Sequence, residues 1–164
     1  MSRAVLSLGS NLGDRMSSLG LAVDAFADVL VATSPVYETA PWGITDQPDF
    51  LNAVLVVQSP DIDEWGWLRR AQQSERAAQR VRVQHWGPRT LDVDVVTVDT
   101  VQRGQSELRL PHPGSAYRAT VLIPWLAVEP DAVLPGWGPV ADLVDKLPTE
   151  DVDGVLQRPD LILR

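Results

Sequence analysis

The spacing of apolar positions changes several times along the chain, and each change marks an element. Ala4-Val5-Leu6-Ser7-Leu8 is a short apolar run stopped by Gly9-Ser10-Asn11, which predicts a buried strand entering a tight turn. Leu12, Met16, Leu19, Val23, Phe26 and Leu30 then recur at steps of three and four. Asn11 or Asp14 stands ready to cap the orphan amides, so an amphipathic helix is predicted over roughly 14–30. Val29 to Tyr37 reads as strand, Ala40 to Asp49 as a loop rich in Pro and Gly, and Phe50 to Gln58 as a strongly β-prone run ended by Pro60-Asp61. Ile62, Trp65, Leu68 and Ala71 predict a second helix over about 61–80, and Gly87-Pro88 breaks the chain before a strand from Leu91 to Val98.

The predicted order is β-α-β-β-α-β. It places the chain in the α+β class as a ferredoxin-like α/β sandwich, a mostly antiparallel sheet carrying both helices on one face. Beyond it a short strand is expected at 108–110 and helices at 115–127 and 139–146, with 149–164 mostly irregular. At 164 residues, 45% of them hydrophobic, and with no repeat or low-complexity tract, the chain reads as one domain spanning 1–164.

Charge and composition narrow the chemistry. The net charge of −8 opposes a broad basic surface of the kind that binds nucleic acid. Lys146 is the only lysine among 14 cations, so no Gly-Lys-Ser/Thr phosphate loop exists. There is no cysteine, and the only histidines are His85 and His112. Thiolate nucleophiles and multi-histidine metal centres are thereby excluded, and any metal must sit on oxygen ligands. The N-terminus lacks the apolar core of a secretory signal, and no apolar run approaches the ~20 residues that cross a bilayer. A cytoplasmic monomer without membrane or nucleic-acid partners is the expectation.

Within this frame, Trp86-Gly87-Pro88-Arg89-Thr90-Leu91-Asp92-Val93-Asp94 carries the strongest signal. Alternation puts Asp92 and Asp94 on one face of a strand, roughly 6–7 Å apart at Cα. Aspartate is disfavoured in strands, so the pair is either a solvent-facing polar edge or a site where a hard dication offsets carboxylate repulsion. Arg69, Arg70, Arg76, Arg80, Arg82 and Arg89 lie within 21 residues that hold one acid, Glu75. The first, second and third of these suit a solvated helix face. Arg82 and Arg89 flank the turn into the aspartates, and guanidinium forks match phosphate oxygens. His112, between two prolines in Leu110-Pro111-His112-Pro113 and followed by Arg118, is either a packing and capping residue or a rigidly held hydrogen-bond donor. Asn52 interrupts an apolar strand. Its amide either pairs with nearby backbone or reads the edge of a flat heterocycle stacked by Phe50 and Trp42.

These motifs also stand together. Gly9-Ser10-Asn11-Leu12-Gly13-Asp14-Arg15, Asp46-Gln47-Pro48-Asp49-Phe50-Leu51-Asn52, the block Trp86 to Asp94 and Leu110-Pro111-His112-Pro113 occur in an order and spacing that resembles the 6-hydroxymethyl-7,8-dihydropterin pyrophosphokinases, from about residue 4 to 135. The resemblance implies pyrophosphate transfer from ATP to the hydroxymethyl group of the pterin, with release of AMP, in folate biosynthesis. It implies two Mg²⁺ ions on Asp92 and Asp94, and phosphate-binding and catalytic arginines at Arg80, Arg82 and Arg89. Further ATP contacts fall at Gln72, Glu75, His112 and Arg118, and a pterin pocket at Thr39, Ala40, Pro41, Trp42, Phe50 and Asn52. Thr120 stands where relatives carry a Phe that covers one pterin face, and the loop from Arg82 to Trp86 is one residue shorter than in some of them. The alternative on the same fold is a non-catalytic small-molecule-binding domain, which needs no paired aspartates beside arginines. An RNA-binding module is opposed by the charge and by the absence of a Lys/Arg-Gly-Phe pattern.

Overall fold

The computed structural model describes residues 1–41, 48–81 and 91–163, apart from the side chains of residues 80 and 81. β1 spans Ser2–Ser10, α1 Arg15–Ala25, β2 Leu30–Thr33, β3 Tyr37–Thr39, β4 Phe50–Ser59, α2 Glu64–Val81 and β5 Asp92–Val98. Then come β6 Arg103–Gly104, β7 Arg109–Leu110, α3 Ala119–Val128, β8 Val133–Leu134, β9 Gly138–Pro139, α4 Val140–Asp145, α5 Thr149–Asp153 and β10 Leu156–Gln157. The main sheet runs β10-β3-β4-β1-β5, with β2 also on β4, and every pair is antiparallel.

Several boundaries move for physical reasons. β1 continues through Gly9 to Ser10 because β4 and β5 both pair with it there, and the turn comes instead at Gly13, whose φ of 69° suits glycine. Asp14 caps α1, its Oδ1 accepting from Ser17 N–H at 3.0 Å. The predicted 14–30 helix stops at Ala25, and Ala27–Val29 tightens into a 3-10 turn. The predicted 29–37 strand is split in two because Pro35 has no N–H to give. Ser34 bridges the gap: its N–H donates to Val54 O and its hydroxyl accepts Val54 N–H, both at 2.8 Å. The end of the chain is mostly irregular, as expected, but carries two short elements, α5 and then β10 on the outer edge of β3.

Alternation along the central strands sends residues to two separate cores. On one face Leu6, Leu8, Leu55 and Val93 pack against Leu19 and Phe26 of α1 and Trp67 of α2. Trp67 is fully buried, stacks 6.5 Å from Phe26, and donates its Nε1–H to Ser2 Oγ. Burial of each such side chain contributes about 1.5–3 kcal/mol. On the other face Val5, Val54 and Val96 pack against Leu122 and Trp125 of α3 and Val140 and Leu143 of α4. The α1 and α2 pair shares one face as expected, and α3 and α4 add a third layer that the order β-α-β-β-α-β does not contain. This is why β4 reads as unbroken apolar sequence from Val54 to Val57. The third layer covers only part of its face. Ser7, Gly9, Asp92 and Asp94, farther along the same strands, stay partly exposed, and the candidate site opens there.

Candidate active site

The pairing register places the predicted groups side by side. Gly9 is opposite Asn52 on one side and Asp92 on the other, and Tyr37 follows Asn52, so one row crosses the sheet as Tyr37, Asn52, Gly9, Asp92. The next row is Val54, Ser7, Asp94. At the usual strand spacing, the Asn52 and Asp92 backbones lie about 10 Å apart. Between them the floor is made of Gly9 and Ser7. A Cβ on Gly9 would reach Asn52 Oδ1 at 3.4 Å and Phe50 Cδ1 at 3.9 Å.

On the Asn52 side, Nδ2 donates to Thr39 Oγ1 at 2.8 Å, and Thr39 pairs with Phe50 in the ladder. Asn52 and Thr39 are buried, Phe50 and Pro41 are partly exposed, and Ala40 is exposed. Asn52 therefore answers a neighbouring hydroxyl rather than backbone. Burial raises the Tyr37 phenol above its ordinary value, which keeps it protonated at neutral pH. Behind this wall Arg15 Nη1 donates to Glu38 Oε2 at 2.5 Å and to Asp49 O at 2.9 Å. Arg158 Nη1 donates to Glu38 Oε1 at 2.7 Å. Hydrogen bonding from Arg15, with help from Arg158, holds the Glu38 carboxyl below its ordinary value.

On the aspartate side, His112 N–H donates to Val96 O at 2.9 Å, fastening the Leu110-Pro111-His112 segment to β5. The imidazole has Nδ1 3.1 Å from Pro113 O and Nε2 3.7 Å from Asp94 Oδ1. Gly114, at φ 78°, turns the chain so that Arg118 lies over it; a Cβ there would meet Arg118 Nε at 3.4 Å. His112 and Arg118 are thus held by one turn. Glu75, reaching from α2, accepts the Val93 N–H at 2.9 Å, on the free edge of β5 between the two aspartates. Gln72 lies exposed on the same helix. Trp42, Arg82, Arg89 and the side chain of Arg80 lie outside the described residues.

Asp92 and Asp94 project on the same face, as alternation requires. Among the described residues no group of three or more His, Cys, Asp or Glu could enclose a metal ion. Two carboxylates that leave further positions to water and phosphate oxygens fit a hard, octahedral dication such as Mg²⁺. Arg69, Arg70 and Arg76 belong elsewhere. Arg70 and Arg76 line an open groove of about 530 Å³ beside α2, on the side of the sheet away from the aspartates, and Arg70 is already bonded to Ala25 O and Asp28. Arg69 and Arg76 are exposed, as a solvated helix face requires, whereas Arg70 is partly buried, tied to α1 through Ala25 O and Asp28 and lying over the Phe26 ring.

The family model for 7,8-dihydro-6-hydroxymethylpterin-pyrophosphokinase (HPPK) matches residues 5–130, which include both halves of this site. The chain belongs to the HPPK family. A Mycobacterium bovis 2-amino-4-hydroxy-6-hydroxymethyldihydropteridine pyrophosphokinase is 48% identical over 99% of this chain and 94% of its own length. The Mycobacterium leprae pyrophosphokinase of the same name is 51% identical over 92% of this chain and 83% of its own. A solved Plasmodium falciparum HPPK-DHPS structure superposes with a TM-score of 0.68 at 12% identity, over 88% of this chain and 44% of that one. That likeness shows a shared fold over most of this chain. Two contributors to this candidate site, Ser7 and Glu38, escape motif reading. Ser7 shares the floor with Gly9 and is signalled only by a small residue alternating with Leu6 and Leu8. Glu38 joins partners at positions 15 and 158, which no local spacing reveals.

Proposed function

We propose that the chain transfers the pyrophosphoryl group of ATP to the hydroxymethyl oxygen of 6-hydroxymethyl-7,8-dihydropterin, releasing AMP, with the pterin on the Asn52 side of Gly9 and the triphosphate on the Asp92 side. The observation that carries this reading is the single row Asn52, Gly9, Asp92 on one face of the sheet. It sets an amide suited to a heterocycle edge about 10 Å from paired carboxylates, with a floor too small to block the path between them.

Asn52, held by Thr39, reads the pterin edge, and Phe50, with Trp42, stacks on its ring. Thr39, Ala40 and Pro41 shape the rest of that pocket. Asp92 and Asp94 would hold two Mg²⁺ ions, which when bound would supply charge neutralisation on the triphosphate and on the departing oxygen. Glu75 holds the Val93 amide and so the spacing of the aspartates. Gln72, Arg82, His112 and Arg118 bind ATP, and Arg80 and Arg89 offset charge as it develops. The pterin oxygen forms its bond to the β-phosphorus while the bond from that phosphorus to the AMP oxygen breaks, and the hydroxyl proton passes to solvent. A loose transition state asks little of a base. We read the fold as a ferredoxin-like domain with an added helical layer, working as a monomer in the cytoplasm. No described helix is long and apolar enough to cross a membrane.

The test is AMP release from ATP, Mg²⁺ and the reduced hydroxymethylpterin. Turnover is expected in the unsubstituted chain and none in Asp94→Ala, whose circular dichroism stays unchanged. Arg89→Ala is expected to lose roughly 10²-fold or more in kcat with little change in pterin affinity. No AMP above background from the unsubstituted chain would return it to the non-catalytic binding reading.

A further inference from the structure

We propose that Arg158, in the C-terminal segment, is a positioning residue for the pterin side of the site, acting through Glu38. This rests on the assignment of Thr39, Phe50 and Asn52 to the pterin. The segment lies beyond residues 5–130 of the family match, and it runs along the outer edge of β3. Leu156 pairs with Glu38 and Gln157 with Tyr37, and Arg158 N–H donates to Val36 O at 2.8 Å.

The guanidinium of Arg158 is set by its own neighbour. Nε and Nη2 fork onto the Asp160 carboxylate at 3.0 and 2.7 Å, which leaves Nη1 aimed at Glu38 Oε1 at 2.7 Å. Glu38 gives its other oxygen to Arg15, and the same Nη1 of Arg15 reaches Asp49 O. One carboxylate thereby joins the first turn of α1, β3, the residue before β4 and the C-terminal segment. A forked, mutually oriented set of this kind loses less rotamer freedom than a lone surface pair.

The strand that Glu38 steadies is only three residues long. Its last residue, Thr39, pairs with Phe50 and accepts from Asn52 Nδ2. Loosening β3 at Glu38 therefore shifts Thr39 and frees the Asn52 amide. Asp92, Asp94 and His112 are held by β1 and β5 and do not depend on this edge. Leu161 and Leu163 anchor the segment independently in the α1 and α2 core, so loss of the Arg158 side chain leaves the tail in place.

The experiment compares Arg158→Ala and Arg158→Lys with the unsubstituted chain. It measures KM for each substrate, Kd for the pterin by tryptophan-fluorescence titration, and the thermal midpoint. Arg158→Ala is expected to raise pterin KM and Kd roughly three- to tenfold with ATP KM and kcat within about twofold, and to lower Tm by about 2–4 °C. Arg158→Lys, which keeps a donor for Glu38 without the Asp160 fork, regains at least half of the lost pterin affinity. A fall in Tm with pterin Kd unchanged would make the residue a staple only and overturn the proposal, as would equal losses for both substrates. Failure of the unsubstituted chain to bind pterin, with ATP binding intact, overturns the pocket assignment and the clamp with it.

Discussion

Gly9 separates the two chemistries of this site while contributing no side chain to either. It lies between Asn52 and Asp92 in one register row, and the contact a Cβ would make with Asn52 Oδ1, at 3.4 Å, is tight but tolerable. Gly9→Ala is therefore expected to fold with stability within about 1 kcal/mol of the parent, since a strand interior also favours Ala over Gly by roughly that amount. The added methyl nonetheless occupies the floor where the pterin and triphosphate meet. Pterin affinity falls at least about fivefold, read by fluorescence titration beside a denaturant melt; unchanged affinity would remove Gly9 from the site. Glu75 makes the complementary case. Its carboxylate accepts an edge amide that β1 leaves unpaired, so Glu75→Ala strips that acceptor at a cost of about 1–3 kcal/mol, while Glu75→Gln, which keeps a carbonyl oxygen, costs less. Melts of the two variants check the ordering.

Among the elements, β3 is the one whose place depends most on charge. Glu38 is held below its ordinary carboxyl value by hydrogen bonding from Arg15 and Arg158, and Asp160 is lowered in the same way by Arg158. A depressed folded value stabilises the fold above the unfolded carboxylate value, and that stability is lost as pH falls through the lower folded one. The thermal midpoint of the parent should therefore exceed that of Glu38→Gln at pH 7, with the gap closing below about pH 4. A gap that does not narrow at all as pH falls below about 4 would show that the carboxylate charge is not what holds β3. The same element shows where sequence reading stops. The apolar period of three and four located α1 and α2, and the β-prone run located β4, because burial of their own side chains decides them. Reading 29–37 as one strand passed over Pro35, which has no N–H to give, and over the Ser34 hydroxyl that spans the break. β10 had no pattern to reveal it: Leu156 and Gln157 are both exposed, and pairing with β3 alone makes them a strand. Among the candidate-site residues, Asp92, Asp94, Asn52 and His112 stand out in the sequence since each breaks a local rule of strand composition or backbone freedom. Glu38 and Arg158 break none, and only the tertiary fold joins them.

Across the whole molecule, one strand serves two cores. β4 sends Leu51, Ala53, Leu55 and Val57 to the α1 and α2 layer and Val54 to the α3 and α4 layer. The layers share a backbone, and neither can lose its packing while the sheet between them persists intact. Leu19, in the first layer, and Leu122, in the second, are both fully buried, so each serves as a probe of its own core. Leu19→Ala and Leu122→Ala should each cost about 2–5 kcal/mol, the transfer cost of the deleted atoms plus that of the cavity left behind. If the sheet couples the layers, each variant unfolds in urea as a single transition. Circular dichroism and tryptophan fluorescence then coincide, and the slope of stability against urea stays that of the parent. Coupling also carries a functional consequence, because the site occupies the stretch of sheet that α3 leaves uncovered. Stability lost in either layer should reach substrate binding only through the unfolded fraction, leaving KM unchanged at temperatures well below the midpoint. A biphasic melt for Leu122→Ala, with the α3 and α4 layer lost first and pterin binding with it, would instead make that layer a separable support of the site.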